Sequence, residues 1–154
     1  MFRDSFGNNL YPYLADSFAS ALFSRAMPYR LDLTAAREAD FVAAELVERN
    51  LRYLIREVPV MPAPRRQAVE SARGEGFISL AREAPEEGHV LSSGTLPRAP
   101  DSGSPVLVNT ADGGCYEAFL LEDGRFGLYL PEDAEPESAV FYAEGGAVRL
   151  PLIW

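Results

Sequence analysis

The stretch LLEDGRFGLYL, residues 120–130, sets Asp123-Gly124 between two apolar runs. An Asp-Gly pair tolerates positive φ at both centres of a two-residue turn, so the stretch predicts a β-hairpin. AEGGAV, residues 143–148, repeats the signal at Gly145-Gly146. From Phe77 onward short apolar segments (FISLA, HVL, PVLVN, CYEAFLL, RFGLYL, SAVFYA and AVRLPLIW) are divided by Gly, Pro and Asp. Strands punctuated in this way predict a small antiparallel β-sandwich or barrel.

The last of these segments alternates. Val148, Leu150, Leu152 and Trp154 share one face of an extended strand, and Arg149 and Pro151 fall on the other. Pro151 cannot donate to a ladder, so its position faces an edge or a bulge. Two readings follow for Trp154, the chain's one tryptophan. Either the four apolar residues fill a core, or this edge and Trp154 pack on another subunit.

The first half is written differently. Pro12 suits a first helical position, and Leu14, Phe18, Ala21 and Leu22 follow at helical spacing up to Pro28, predicting a helix over 11–26. Thr34 as N-cap and the stripe Ala43, Val47, Leu51, Leu54, Ile55 and Val58, stopped by Pro59, predict a second helix over 34–58. PVMPAPRRQ, residues 59–67, carries three prolines within six positions and reads as an extended connector. A short helix over 65–72 is expected after it. The expected fold class is therefore α+β, an N-terminal helical region followed by the β domain. Residues 1–58 form an arm and two helices, 59–75 a Pro-rich connector with the short helix, and 76–154 the antiparallel β domain.

The charge is uneven. The formal net charge is −9, and all fourteen basic residues are Arg. Residues 1–74 hold ten Arg against nine acids, whereas 75–154 hold four Arg against fourteen acids. Such an acidic half repels phosphate backbones, so no nucleic-acid partner is expected. No run approaches the roughly 18 apolar residues of a membrane span, and the N-terminus lacks a basic start before an apolar stretch, so no membrane partner is expected either. The expected location is the cytoplasm, or a particle assembled there.

Several chemistries are excluded by residue type. Without lysine there is no Walker A loop, no Schiff base and no Ser–Lys pair. With His89 alone and Cys115 alone there is no zinc cluster and no internal disulfide. His89 and Cys115 could meet as a nucleophile pair, but no cysteine-hydrolase signature surrounds them, and a thiol opening an apolar strand reads as core. The segment PEDAEPE carries Glu132, Asp133, Glu135 and Glu137 without the glycine or spacing of an EF-hand loop. ARGEGF, with Gly74 and Gly76, lacks the strand-then-helix setting of a nucleotide fingerprint. No catalytic, cofactor-binding or metal-binding residues are assigned.

Aromatic residues crowd the N-terminus: Phe2, Phe6, Tyr11, Tyr13, Phe18 and Phe23. They either pack the first helix on the second or form an arm that docks on a neighbouring subunit, where aromatics and Arg are enriched. Phe2, Phe6, Tyr11, Tyr13 and Trp154 are the candidate partner-binding residues.

GHVLSSGTL (residues 88–96), VNTADGGCYEAFLL (108–121) and AVFYAEGGAVRL (139–150) together resemble small bacteriophage head decoration, or cement, proteins. The resemblance covers about sixty residues of the second half and rests on a G-x-V-L turn, a D-G element before a core strand, and a late strand. It implies a non-catalytic protein that clamps capsid subunits, often as a trimer, within a virion. The expected function is thus a structural or interaction subunit of a viral particle or other large assembly, with protein partners and homo-oligomerisation. The alternatives are an acidic inhibitory module of the immunity-protein or antitoxin kind and, third, a small hydrolase using Cys115.

Overall fold

In the computed structural model, which describes residues 1–154, the chain divides into two units, Met1–Met61 and Pro62–Trp154. The first contains little regular structure: strand β1 (Phe2–Arg3), helix α1 (Tyr11–Ala15), helix α2 (Asp32–Ala36), strand β2 (Ala44–Glu45), and 3-10 turns at Phe6–Asn9 and Glu48–Ile55. β1 and β2 pair in parallel, Phe2 with Ala44 and Arg3 with Glu45. On its other side the Arg3 N–H donates to the Ser24 carbonyl at 3.0 Å.

Both long helices expected here are replaced by short pieces. α1 ends because Ser17 diverts the ladder: its N–H reaches only to the Leu14 carbonyl, at 3.1 Å. Its hydroxyl occupies the Tyr13 carbonyl at 2.9 Å. Side-chain bonding of this kind competes with helix propagation. α2 starts at Asp32, so Thr34 lies inside it rather than capping it, and its hydroxyl donates to the Leu31 carbonyl at 2.7 Å. Glu38, at φ 46°, ends α2. The Glu38 N–H then bonds the Ala35 carbonyl and the Ala39 N–H bonds the Thr34 carbonyl, each at 3.0 Å, as in a Schellman turn.

Beyond that turn the chain is drawn to the N-terminal arm. Phe2 N–H donates to the Ala43 carbonyl at 2.8 Å. The Asp4 carboxylate accepts the Phe6 N–H at 2.8 Å, the Val47 N–H at 2.9 Å and the Asn50 side-chain amide at 3.0 Å. One carboxylate therefore anchors the start of the Glu48–Ile55 turn to the arm, forty-odd residues away.

Pro62–Trp154 forms a closed barrel of seven strands: β4 (Ile78–Arg82), β5 (His89–Thr95), β6 (Val106–Thr110), β7 (Cys115–Leu120), β8 (Arg125–Pro131), β9 (Pro136–Ala143) and β10 (Gly146–Ile153), preceded by the short β3 (Ala72–Arg73). Around the barrel the order is β4-β5-β8-β7-β6-β9-β10, with β10 returning to β4. The β domain expected as sandwich or barrel is a barrel. It is antiparallel except where β10 runs parallel to β3 and β4.

Three of its hairpins turn on an acid followed by glycine, both at positive φ: Glu87-Gly88, Asp123-Gly124 and Glu144-Gly145. That geometry is the type I′ turn, whose twist suits antiparallel strands. The Asp123-Gly124 hairpin is thus present as expected. The turn expected at Gly145-Gly146 is centred one residue earlier, and the Asp101 carboxylate holds it by accepting the Glu144 and Gly145 N–H groups at 3.1 Å each.

Alternation fills the interior. Phe126, Leu128 and Leu130 of β8 are all 0% exposed, and Ala139 and Phe141 of β9 and Leu150 of β10 meet them. Full burial of each large side chain contributes about 1.5–3 kcal/mol. Gly94 of β5 makes room for this packing, since a Cβ there would lie 2.8 Å from Phe126 Cζ and 3.1 Å from Ile78 Cγ2.

The connector is not a free linker, and its expected 65–72 helix does not form. Residues 62–66 lie within the barrel wall, where β7 and β8 splay apart beyond the Phe119–Gly127 pair. The Ala63 N–H donates to the Tyr129 carbonyl of β8 at 2.9 Å. On the other side Glu117 N–H donates to the Pro64 carbonyl at 2.9 Å, and Arg66 N–H to the Cys115 carbonyl at 2.8 Å. Arg66 is bonded to β7 and Ala72 pairs with Val148 of β10, so the segment expected as helix is held extended at both ends. Val69, within it, packs on a second apolar cluster of Leu107, Cys115 and Val140.

Two outcomes are expected. Gly94→Val should destabilise the barrel by about 1–3 kcal/mol through overpacking, measured by denaturant unfolding. An unchanged midpoint would contradict the packing described. Asp4 has its carboxyl held below the ordinary range, first through the Val47 N–H bond. A depressed folded value contributes stability that is present above the unfolded value of about 3.9 and lost as pH falls through the folded value. Amide protection at Val47 and Phe6 should therefore collapse in acid, and Asp4→Ala should remove it at neutral pH. Protection that persists in Asp4→Ala would refute the anchoring role.

Candidate interaction surfaces

Of the five candidate partner-binding residues, the structure takes one out of reach. Phe2 is 3% exposed, its ring 5.5 Å from that of Tyr29, so it is an internal pin of Met1–Met61 rather than a docking residue. Extended backbone bonded on both sides fixes it there. Phe6, Tyr11, Tyr13 and Trp154 are exposed. Arg49 sits 4.9 Å from the Phe6 ring centroid, and Arg3 sits 5.4 Å from that of Tyr11.

The apolar exposure of Met1–Met61 extends well past the aromatics. Twelve of the sixteen exposed large apolar residues lie in it, and its buried ones are Phe2, Tyr29 and Val58. Tyr13 is 76% exposed and Phe41 67% exposed, the latter stacked on Phe18 at 6.0 Å. Leu51, Leu54 and Ile55 of the 3-10 turn are also open to solvent. Their spacing, the basis for expecting a helix over 34–58, places them on a surface that this unit does not cover.

Trp154 belongs to a second surface, at one end of the barrel. The β9–β10 ladder runs from Ala143–Gly146 to Ser138–Pro151 and stops. The closing pair Ala143–Gly146 is hydrogen-bonded, so by alternation Pro151 and Pro136 hold positions whose backbone faces away from the partner strand, and their missing N–H groups do not interrupt this ladder. Past that point β9 stays with β6, through Thr110–Pro136 and an Ala111 N–H to Glu135 carbonyl bond of 2.9 Å. β10 instead moves to β4, pairing Leu152 with Ile78 and Ile153 with Ser79. The two strands part, and an open groove of about 360 Å³ lies between them, lined by Ala111, Glu135, Pro136, Glu137, Leu152, Ile153 and Trp154.

Leu152 is buried, as a core reading of the last strand expects, while Ile153 and Trp154 are not. The Arg82 guanidinium, 5.5 Å from the Trp154 ring centroid and donating to the Ala134 carbonyl at 3.2 Å, holds the indole at the barrel's end. Glu132, Asp133, Glu135 and Glu137 are all exposed on the neighbouring segment. Sequence reasoning singled out Trp154 and these acids separately. No local signal joins them, because the parting of β9 and β10 follows from their separate pairings with β6 and β4.

His89 and Cys115 are not brought together. His89 opens β5 beside Pro131 of β8, with Nδ1 3.2 Å from the Glu87 carbonyl oxygen. Cys115 opens β7, and its Sγ lies 3.8 Å from the Gln67 carbonyl oxygen. Between them stand β8 and the inserted connector, three strand spacings or about 14 Å. Burial also pushes the Cys115 thiol up from its ordinary value, opposite to the activation of a nucleophile. No group of three or more His, Cys, Asp or Glu side chains is gathered closely enough to hold a metal ion. No helix is long and apolar enough to cross a membrane.

A disulfide reagent at pH 8 is therefore expected to label Cys115 at the rate of barrel opening, accelerating only in denaturant. Labelling of the native chain as fast as a free thiol would overturn this. No family model, no curated protein and no solved structure matches this chain.

Proposed function

We propose that the protein is a non-catalytic accessory subunit of a larger protein assembly, docking on its neighbours through Met1–Met61. The observation that carries this is the imbalance in that unit, with twelve large apolar side chains exposed against three buried. Folding an isolated segment of this size costs conformational entropy that so little burial does not offset. Exposed contiguous apolar surface marks interaction sites in soluble proteins. Aromatics with Arg beside them, as at Phe6 with Arg49, are the residue types that dominate interface energetics.

The kind of assembly, a viral head decorated by a cement-like subunit, is supported by the resemblance of residues 88–150 to decoration proteins. A barrel with its own filled interior suits the role, because it stays folded while a less self-sufficient segment engages the shell. In this proposal the protein acts by adhesion, with partners that are capsid or other assembly subunits, including copies of itself.

The test is light scattering after size exclusion of the full chain, beside a triple variant Phe41→Ser, Leu51→Ser, Leu54→Ser. The wild type should run as a stable oligomer or, with the purified shell, as a stoichiometric complex. The variant should lose that association while its barrel melts at the same temperature. A wild-type monomer that binds no assembly and turns over a substrate would sink the proposal.

A further inference from the structure

The barrel has two places where neighbouring strands part, and they differ in one respect. Between β7 and β8 the gap is filled by residues 62–66 as a strand-like insert, bonded through Ala63, Pro64 and Arg66. Between β9 and β10 nothing in the chain fills the gap. The geometry points to this second seam as a receptor for an extended, basic peptide segment of a partner protein. The segment would lie between β9 and β10 with an arginine or lysine side chain against Trp154 and the carboxylates of Glu135 and Glu137.

Three observations converge on that occupant. The gap is bounded by strand backbone on both sides, which favours an extended segment over a compact ligand, as in recognition by strand addition. Its floor is apolar: Leu152, Pro136 and Ala111 line it, and Ile153 and Trp154 are exposed at its margin, 48% and 58%. Its charge is one-sided. Glu135 and Glu137 line the groove, and Glu132 and Asp133 precede them in the chain. None of these four makes an ion pair within the chain. Indole is the ring that best holds a guanidinium or ammonium group, and Trp154 already does so for Arg82. A neutral or acidic segment would leave those carboxylates facing apolar contacts or like charge, at a cost.

This inference is independent of docking through Met1–Met61: a chain that assembles normally could still have an inert seam, and the reverse. The probe is a soluble peptide of alternating Val and Arg, titrated into the full chain. Trp154, the only tryptophan, reports binding by its fluorescence. The expected result is saturable quenching or shift by the Arg peptide. Binding should weaken about tenfold or more in Glu135→Gln/Glu137→Gln, two exposed positions whose change should leave the melting temperature unaltered. The same peptide with Glu for Arg should not bind, and methylation of alternate backbone amides should abolish binding. Equal binding of the Glu peptide, indifference to the double variant, or full binding of the methylated peptide would each overturn the inference. So would the absence of any response to the Arg peptide.

Discussion

A sheet closed on itself must satisfy the N–H and C=O groups along both sides of every strand, and here that burden falls on β10. It runs antiparallel to β9 for six register pairs, ending at Ser138–Pro151. The strand then completes the circuit on its other side, against β4, in the parallel sense. Parallel pairing follows from topology: once the five intervening strands have run antiparallel from β4 round to β9, β10 arrives pointing the way β4 does. β3 pairs with β10 first, and Gly74 carries the chain on toward β4 with its N–H on the Arg149 carbonyl at 3.0 Å. A Cβ at Gly74 would stand 2.7 Å from Val148 Cγ1 and 2.8 Å from Leu150 Cδ2, so the packing of these two side chains over the crossing depends on glycine. The groove beside Trp154 is the geometric remainder of that exchange of partners.

Met1–Met61 obeys a different constraint. A long amphipathic helix is stabilised by burying its stripe, and propensity alone contributes little beyond a few tenths of a kcal/mol per residue. Within this unit no second apolar stripe covers Leu51, Leu54 and Ile55. Polar bonds therefore decide the conformation: the local ones at Ser17–Tyr13 and the left-handed Glu38, and above all the long-range grip of Asp4 on Val47 and Asn50. The result is a unit held by polar pins around Phe2 and Tyr29, with most of its large apolar residues left exposed.

How much of this was legible in the sequence follows from the range of the forces involved. Hairpin turns are local, so Asp123-Gly124 could be read directly, and Glu144-Gly145 was missed by only one position because two adjacent glycines offer two registers. Alternation in AVRLPLIW placed Leu150 and Leu152 in the interior, since period two is fixed by the pleat. Pro151 pointed to an edge or a bulge, and its N position faces the side of β10 where β3 leaves and β4 joins, a pairing set dozens of residues away. The helix patterns over 11–26 and 34–58 misled because periodicity reports which face would be buried if a partner existed, not whether one does. The insertion of residues 62–66 into the wall left no local mark beyond Pro62 and Pro64, which read equally as a linker. Phe2 looked like part of a docking arm because nothing nearby in sequence reveals Ser24 and Ala43 on either side of it.

The two units also differ in the forces they offer a partner. Met1–Met61 carries seven Arg and eight acids, close to neutral, whereas Pro62–Trp154 carries seven Arg and fifteen acids. Association through the first would be governed by apolar burial, which salt does not screen. Association through the second would gain from long-range attraction, which salt weakens within a Debye length of about 8 Å at physiological ionic strength. An acidic barrel adds mutual repulsion between copies, which opposes but does not bar association through the apolar unit. The same repulsion would be relieved where a basic segment met the barrel. Charge on one unit would thus weaken, without preventing, self-association through the other.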